Sequence, residues 1–257
     1  MGHPQVAAFA RLADGGARPT REIAGQNTLF TRTMHDMAYD PVRDEIVVPQ
    51  FFAFAILTFR GDADGDVAPV RKIFGPSTQL KNPMALALDP IHGEIFVPQG
   101  DRILVFPRDA DGDVAPIRIL QVHERVSRLT VDPVHNLLIV SGGGGLRIYD
   151  RTATGNARSR AFISSREAAE VSLLTIHPAS GMIFGAVRPA GRYKAEDYVG
   201  VWSIYDDGDV PPRWTIGGPN GLLKDARGIT LDPKNKNVIV SDKSLNGILT
   251  FHLPEAF

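Results

Sequence analysis

LALDPIHGEIFV, residues 86–97, occurs in five versions along this chain of 257 residues. The others are MAYDPVRDEIVV from Met37, LTVDPVHNLLIV from Leu129, LTIHPASGMIFG from Leu174 and ITLDPKNKNVIV from Ile229, and all align without a gap. Their anchors Asp40, Asp89, Asp132, His177 and Asp232 follow one another at steps of 49, 43, 45 and 55 residues. Before each anchor, large apolar residues alternate with small ones, as in Leu86-Ala87-Leu88 and Leu129-Thr130-Val131. A period of two is that of a β-strand. After most anchors a Pro turn leads into a continuous apolar run such as Ile95-Phe96-Val97, the pattern of a strand buried on both faces.

Outward from this phrase a third strand carries an aromatic near its end: Phe59, Phe106, Tyr149, Tyr205 and Phe251. DADGDVAP follows at Asp62 and Asp109, with degenerate forms ATGNARS from Ala153 and DDGDVPP from Asp206. An Asp-Gly or Thr-Gly pair between strands reads as a hairpin turn. A fourth strand contains Pro19, Pro69, Pro116 or Pro212, and Pro belongs on a sheet edge because it has no N–H to donate. Repeats of about 40–50 residues built from short strands indicate a β-propeller. The expected fold is all-β, a five-bladed β-propeller of four-stranded blades in a single domain, residues 1–257. Six blades, the alternative, would need a further repeat. The last repeat lacks a proline strand, so ARPTREI, Ala17 to Ile23, is expected to close the ring as the outer strand beside Ile248–Phe251. A spare strand, Val6 to Arg11, either extends that blade or replaces its third strand.

NPMALALDPIHGEIFVPQGDRILVF from Asn82 resembles the repeats of NHL propellers, within the wider group that holds gluconolactonase-like enzymes and streptogramin lyases. The resemblance covers nearly the whole chain at the level of repeat grammar. It implies the fold and no single activity, because propellers host binders, scaffolds, hydrolases and lyases. NHL-type propellers more often have six blades. Neither the metal-binding Glu/Asn/Asn/Asp set of the gluconolactonase group nor the histidine arrangement of the lyases has a counterpart, so no catalytic residue carries over.

Composition narrows the partners. The net charge of −1 gives no general attraction to nucleic acid or anionic membrane. No apolar run is long enough to span a bilayer. Cysteine is absent, which removes disulfides and thiolate chemistry. The start, MGHPQVAAFA, has no basic segment followed by an apolar one, which points to a cytoplasmic protein, although a mature exported chain would read the same.

Candidate site residues gather where the inner strands begin and the second strands end. His35 and Asp36 enter the first inner strand, and a His near a carboxylate can act as a base or metal ligand. Gln50, Gln99 and Asp242 follow second strands, alongside Asp101 and Lys243; Asn82, Arg128, Glu170 and Arg227 precede inner strands. The longest loop, VRPAGRYKAEDYVG from Val187, carries Arg188, Arg192, Tyr193, Lys194 and Tyr198. Long loops in compact domains are often functional, and Arg and Tyr are favoured at interface hot spots. SGGGG, Ser141 to Gly145, lacks the Lys and helix of a phosphate loop and reads as a turn. The two DADGDVAP phrases resemble half of a calcium loop, but the twelfth position is Ile73 or Leu120 where a bidentate Glu is needed. They are read as turns, and no metal or other cofactor is expected. His92 and His135 recur at one repeat position and read as turn residues, with His177 making a similar contact in place of an anchor Asp.

Two functions follow from these residues. The first is a non-catalytic binding or scaffold propeller that recognises a protein or a small polar ligand on its loop face. The second is a hydrolase or lyase of the gluconolactonase or streptogramin-lyase type at the axial opening, resting on His35, Asp36 and the polar ring.

Overall fold

The computed structural model describes residues 4–32, 34–122, 124–189, 197–218 and 221–257. The chain folds as a five-bladed β-propeller with almost no helix. Its contacts group into two compact units, one of Met1–Gln99 with Leu104–Arg118, the other of Gly100–Ile103 with Ile119–Phe257.

In the first unit, β1 (Gln5–Ala8) and β2 (Arg21–Ala24) form a two-stranded sheet. The first blade comprises β3 (Ala38–Asp40), β4 (Glu45–Gln50), β5 (Ala55–Arg60) and β6 (Arg71–Ile73), hydrogen-bonded in that order. The second blade is β7 (Ala87–Asp89), β8 (Glu94–Gln99), β9 (Arg102–Pro107) and β10 (Arg118–Gln121), also in order, with Arg102–Ile103 and Ile119–Gln121 assigned to the second unit. Ile23, Ala55, Leu57 and Phe59 make a buried cluster here, with Val6, Phe30 and Ile46 against it.

In the second unit, the third blade is β11 (Val126–Asp132), β12 (Leu137–Gly142), β13 (Gly145–Asp150) and β14 (Ala161–Ile163). The fourth is β15 (Val171–His177), β16 (Met182–Val187), β17 (Tyr198–Ser203) and β18 (Trp214–Gly217). The fifth has three strands, β19 (Ala226–Asp232), β20 (Asn237–Asp242) and β21 (Gly247–His252). Among the described residues no helix is long and apolar enough to cross a membrane.

The expected closure by residues 17–23 takes another form. β2 pairs with β1, Gln5 opposite Ala24, and not with β21. Two short segments joined locally make a hairpin without a distant partner, and this answers what the spare strand does. The prolines also shift: Pro69, Pro116 and Pro212 lie just ahead of the outer strands. There the next residue makes the first bond to the third strand, as Val70 N to Thr58 O, Ile117 N to Val105 O and Arg213 N to Val201 O, each 2.7–2.8 Å. Pro stands at the last position where a missing N–H costs no ladder bond.

The anchors act as read. The Asp89 carboxylate accepts from the N–H groups of Ile91 and His92 and from His92 Nδ1; Asp132 does the same with Val134 and His135. Asp40 takes Val42 and Arg43, and Asp232 takes Asn235. Each turn ends on a residue with positive φ at one repeat position: Asp44, Gly93, Asn136, Gly181 and Lys236.

The Asp-Gly turns do more than reverse the chain, because each grips the outer strand of the preceding sheet. Lys72 N donates to Asp111 Oδ1 (2.8 Å), Gly112 N to Lys72 O (2.8 Å) and Phe74 N to Gly112 O (3.1 Å). The same set joins Glu22 and Ala24 to Asp64 and Gly65, and Phe162 and Ser164 to Asp207 and Gly208. At the third turn Thr154 replaces the Asp, and its hydroxyl donates to Ile119 O. The four glycines hold φ between 58° and 80°, a region that other residues reach only with strain. β2 thus keeps the grip of an outer strand although its sheet partner is β1.

The fourth blade corrects one residue. Tyr205 lies beyond β17 and is 78% exposed; Trp202, fully buried, holds the register of Phe59 and Tyr149. Gly185 and Gly200, paired across β16 and β17, leave the space for its indole.

Candidate functional site

Three of the expected site residues hold the chain together locally. Gln50 Oε1 accepts from Thr31 N (2.7 Å), Gln99 Oε1 from Lys81 N (2.5 Å), and Asp242 Oδ2 from Lys224 N (2.7 Å) and Asp225 N (3.0 Å). Each residue ends a second strand and pins the loop that enters its own blade. All three are buried. Burial opposes the charge on Asp242, but backbone N–H groups of Lys224, Asp225, Leu245 and Ser244 outweigh it and hold the carboxyl below its usual range.

In the first unit, His35 and Asn82 both meet Phe51. The imidazole of His35 sits edge-on to the Phe51 ring at 5.6 Å, and Asn82 Nδ2 donates to Phe51 O at 3.1 Å. Asp36 accepts from Met37 N through one oxygen and from Leu86 N through the other. Each oxygen of the Asp36 carboxylate thus has a backbone N–H partner, which ties the entry to the first inner strand to Leu86 at the start of the second.

In the second unit, Arg188 bonds Asp225 Oδ1 (2.7 Å), Ala226 O (2.9 Å) and, at 3.3 Å, Asp197 Oδ2. Arg227 reaches the other oxygen of Asp225 at 3.1 Å. Arg188, Arg227 and Asp242 are therefore brought together around the segment that leads into β19. Arg128 is separate: its N–H donates to Ser141 Oγ and its guanidinium to Ser127 O. The Arg188–Asp197 pair ties the base of the long loop. Arg192, Tyr193 and Lys194 lie outside the described residues. Tyr198 packs at the edge of the core; burial, with Glu167 and Glu170 nearby, pushes its hydroxyl up to about 12. The tetraglycine is a two-residue hairpin, Gly142 opposite Gly145.

Among the described residues, no three His, Asp or Glu side chains gather as a metal set. In the DADGDVAP turns, Asp64 and Asp111 accept from outer-strand N–H groups, while Asp66 and Asp113 accept from Asn27 and Ser77. Calorimetric titration of the chelator-treated protein should show no stoichiometric calcium uptake. Asp111→Ala should instead lower unfolding free energy by about 1 kcal/mol, the net worth of one such bond. Calcium binding that this change removes would reverse the assignment.

His177 makes a turn contact of the expected kind, Nδ1 to Ser180 Oγ at 2.8 Å. Ser180 Oγ donates in turn to Ala256 O, and the Phe257 ring lies 4.9 Å from the imidazole. Burial pushes the His177 pKa down. The unfolded chain then takes up the proton first, so His177 favours folding fully above about pH 6.5 and loses this as pH falls through its lowered native value. Urea unfolding at pH 7.5 and 5 should show a stability loss that His177→Asn reduces; an equal loss in both proteins would count against it.

The expected site omitted the hairpin joining β4 and β5. Its residues are Phe51, Phe52, Ala53 and Phe54, where other blades place Gly100-Asp101, Gly143-Gly144 or Lys243-Ser244-Leu245-Asn246. Phe52 and Phe54 are 45% and 46% exposed. Phe51 and Phe52 pack edge to face at 4.9 Å, and the Arg32 guanidinium lies 4.7 Å from the Phe52 ring centre. Three aromatics in a slot that normally takes turn residues were the available signal.

No family model matches this chain, and no curated protein matches it. Solved structures do. The Cps50 (Swd1) β-propeller domain of Myceliophteria thermophila is 12% identical with a TM-score of 0.58, over 87% of this chain and 66% of that one. The hydrazine synthase of Kuenenia stuttgartiensis is 14% identical with a TM-score of 0.61, over 82% and 56%. A chain of the Mitotic Checkpoint Complex is 13% identical with a TM-score of 0.62, over 91% and 65%. This chain thus spans less than two thirds of each of these structures. At such identities the likeness shows the propeller fold.

Proposed function

We propose that this chain is a non-catalytic binding propeller that recognises a protein through the hairpins joining its second and third strands. The observation that carries this reading is the Phe51–Phe54 hairpin. It presents two phenylalanine side chains to solvent beside a stacked arginine, residue types that are enriched in protein interfaces. Much of the polar set that favoured a hydrolase or lyase has structural work: Asp36, Gln50, Gln99 and Asp242 accept backbone N–H groups. The Arg/Tyr segment 188–197 connects the second and third strands of the fourth blade and is a second contact region under this proposal.

Hydrogen–deuterium exchange on the protein with and without a co-purifying partner tests it. Protection should concentrate at residues 51–54, 79–82 and 188–197. Protection confined to the outer strands, such as Arg71–Ile73, or turnover of a small molecule lost on His35→Ala, would overturn it.

A further inference from the structure

Phe54 has φ of +51°, a left-handed conformation that a bulky side chain adopts only with strain. The β20–β21 hairpin shows what this position ordinarily takes. Both hairpins have four residues between strand-end pairs, Gln50 opposite Ala55 and Asp242 opposite Gly247. The residue equivalent to Phe54 is Asn246, with φ of +49°. Asn is one of the few side chains at ease there. The first blade therefore carries a locally unfavourable residue, and leaves its ring 46% exposed. Exposed apolar surface gains little from folding, so folding does not account for the choice. Places where a local rule is broken without a folding benefit are where function is sought.

The surroundings state the chemistry of what binds. Phe52 faces solvent with Arg32 over its ring. Lys81 and Asn82 follow the loop pinned by Gln99, and Asn82 bonds the backbone of Phe51. Among the described residues no carboxylate pairs with Arg32 or Lys81, and both are exposed. The nearby Asp36 carboxylate accepts from Met37 and Leu86 N–H groups.

Resting on the binding reading above, we propose that Phe52 and Phe54 anchor a linear protein segment that combines apolar side chains with carboxylates. Apolar side chains pack on the two rings, and carboxylates meet Arg32 and Lys81. A charge-assisted bond to Arg32 also keeps its stacked position on Phe52.

The test uses the full chain and three panels of labelled short peptides with the same apolar residues, Leu, Phe and Trp. The panels carry Asp and Glu, Lys and Arg, or Ser and Gly between them. The best acidic peptides should bind about tenfold or more tighter than their basic counterparts in low salt, and the margin should shrink in high salt. Phe54→Asn should weaken the acidic peptides by about tenfold, while the melting temperature holds or rises by about 1–3 °C as strain is relieved. Arg32→Ala with Lys81→Ala should remove the preference for acid and leave apolar contact.

Tight binding of acidic peptides that is indifferent to Phe52→Ala and Phe54→Asn overturns the site while the broader reading stands. Binding that depends on Phe54 but not on peptide charge overturns the partner chemistry alone. Absence of binding in all panels, with the folded protein confirmed, overturns both. A melting temperature that falls sharply in Phe54→Asn would assign Phe54 to the fold and overturn the anchor.

Discussion

Trp202→Ala should lower the unfolding free energy by about 3–5 kcal/mol in a denaturant titration, the range for removing a large buried aromatic. Trp202 is among the fully buried side chains of the second unit, packed with Ile183, Val171 and Ile204. Its indole N–H donates to Val210 O at 3.1 Å, so truncation removes a bond as well as a ring. The slot is tight on the other side. A Cβ added at Gly200 would lie 2.6 Å from the indole, and one at Gly185 would lie 2.9 Å from Val171 Cγ2. Gly200→Ala should therefore cost about 1–3 kcal/mol through overpacking, with Trp202 intact. A loss below about 1 kcal/mol for Trp202→Ala would show that the blade recloses over the cavity.

Asp242→Ala should cost about 2–4 kcal/mol and change how the protein responds to acid. The carboxylate is 2% exposed and accepts from Lys224, Asp225 and Leu245 N–H groups. Removing it leaves those donors without a partner at a site water reaches poorly. Its native pKa lies below the ordinary carboxylate value because those bonds outweigh the burial that opposes them. Its contribution is therefore present above about pH 4 and is lost as pH falls through the lowered native value. In urea titrations from pH 7 to 3, the wild-type protein should lose stability at the acid end more steeply than Asp242→Ala. Parallel curves, or a loss within about 0.5 kcal/mol at pH 7, would mean that solvent replaces the carboxylate.

What could be read from sequence was whatever repeats with a fixed local chemistry. The alternating strand before Asp89, the Asp-Pro turn and the apolar run after it are short-range patterns, and the fold returns them in place. Where a reading slipped, two positions competed for one role. Tyr205 and Trp202 are both aromatics near the end of one strand, and only counting back from the turn glycine singles out Trp202. It stands six residues before Gly208, as Phe59 stands six before Gly65. Long-range partners were less legible. Nothing local in Gln50 says that its amide oxygen meets Thr31 N, nor in Asp111 that it meets Lys72 N. A polar residue at a strand end looks the same whether it faces a ligand or pins a loop. The strand at Arg21–Ala24 had an attractive distant site, but Gln5–Ala8 was nearer. The Phe51–Phe54 hairpin was visible and went unread, because apolar residues beside a strand merge into its pattern.

The grip of each Asp-Gly turn on the preceding outer strand has a consequence for how the chain is made. Glu22, Lys72 and Phe162 wait for acceptors 42, 39 and 45 residues further along. At about 5–20 residues per second, each outer strand leaves the ribosome several seconds before its lock exists. Assembly during translation then runs in one direction, every sheet provisional until part of the next has emerged. A fragment ended at Phe74 would leave its last strand unlatched, whereas one ended just past Asp113 would be latched by its own tail.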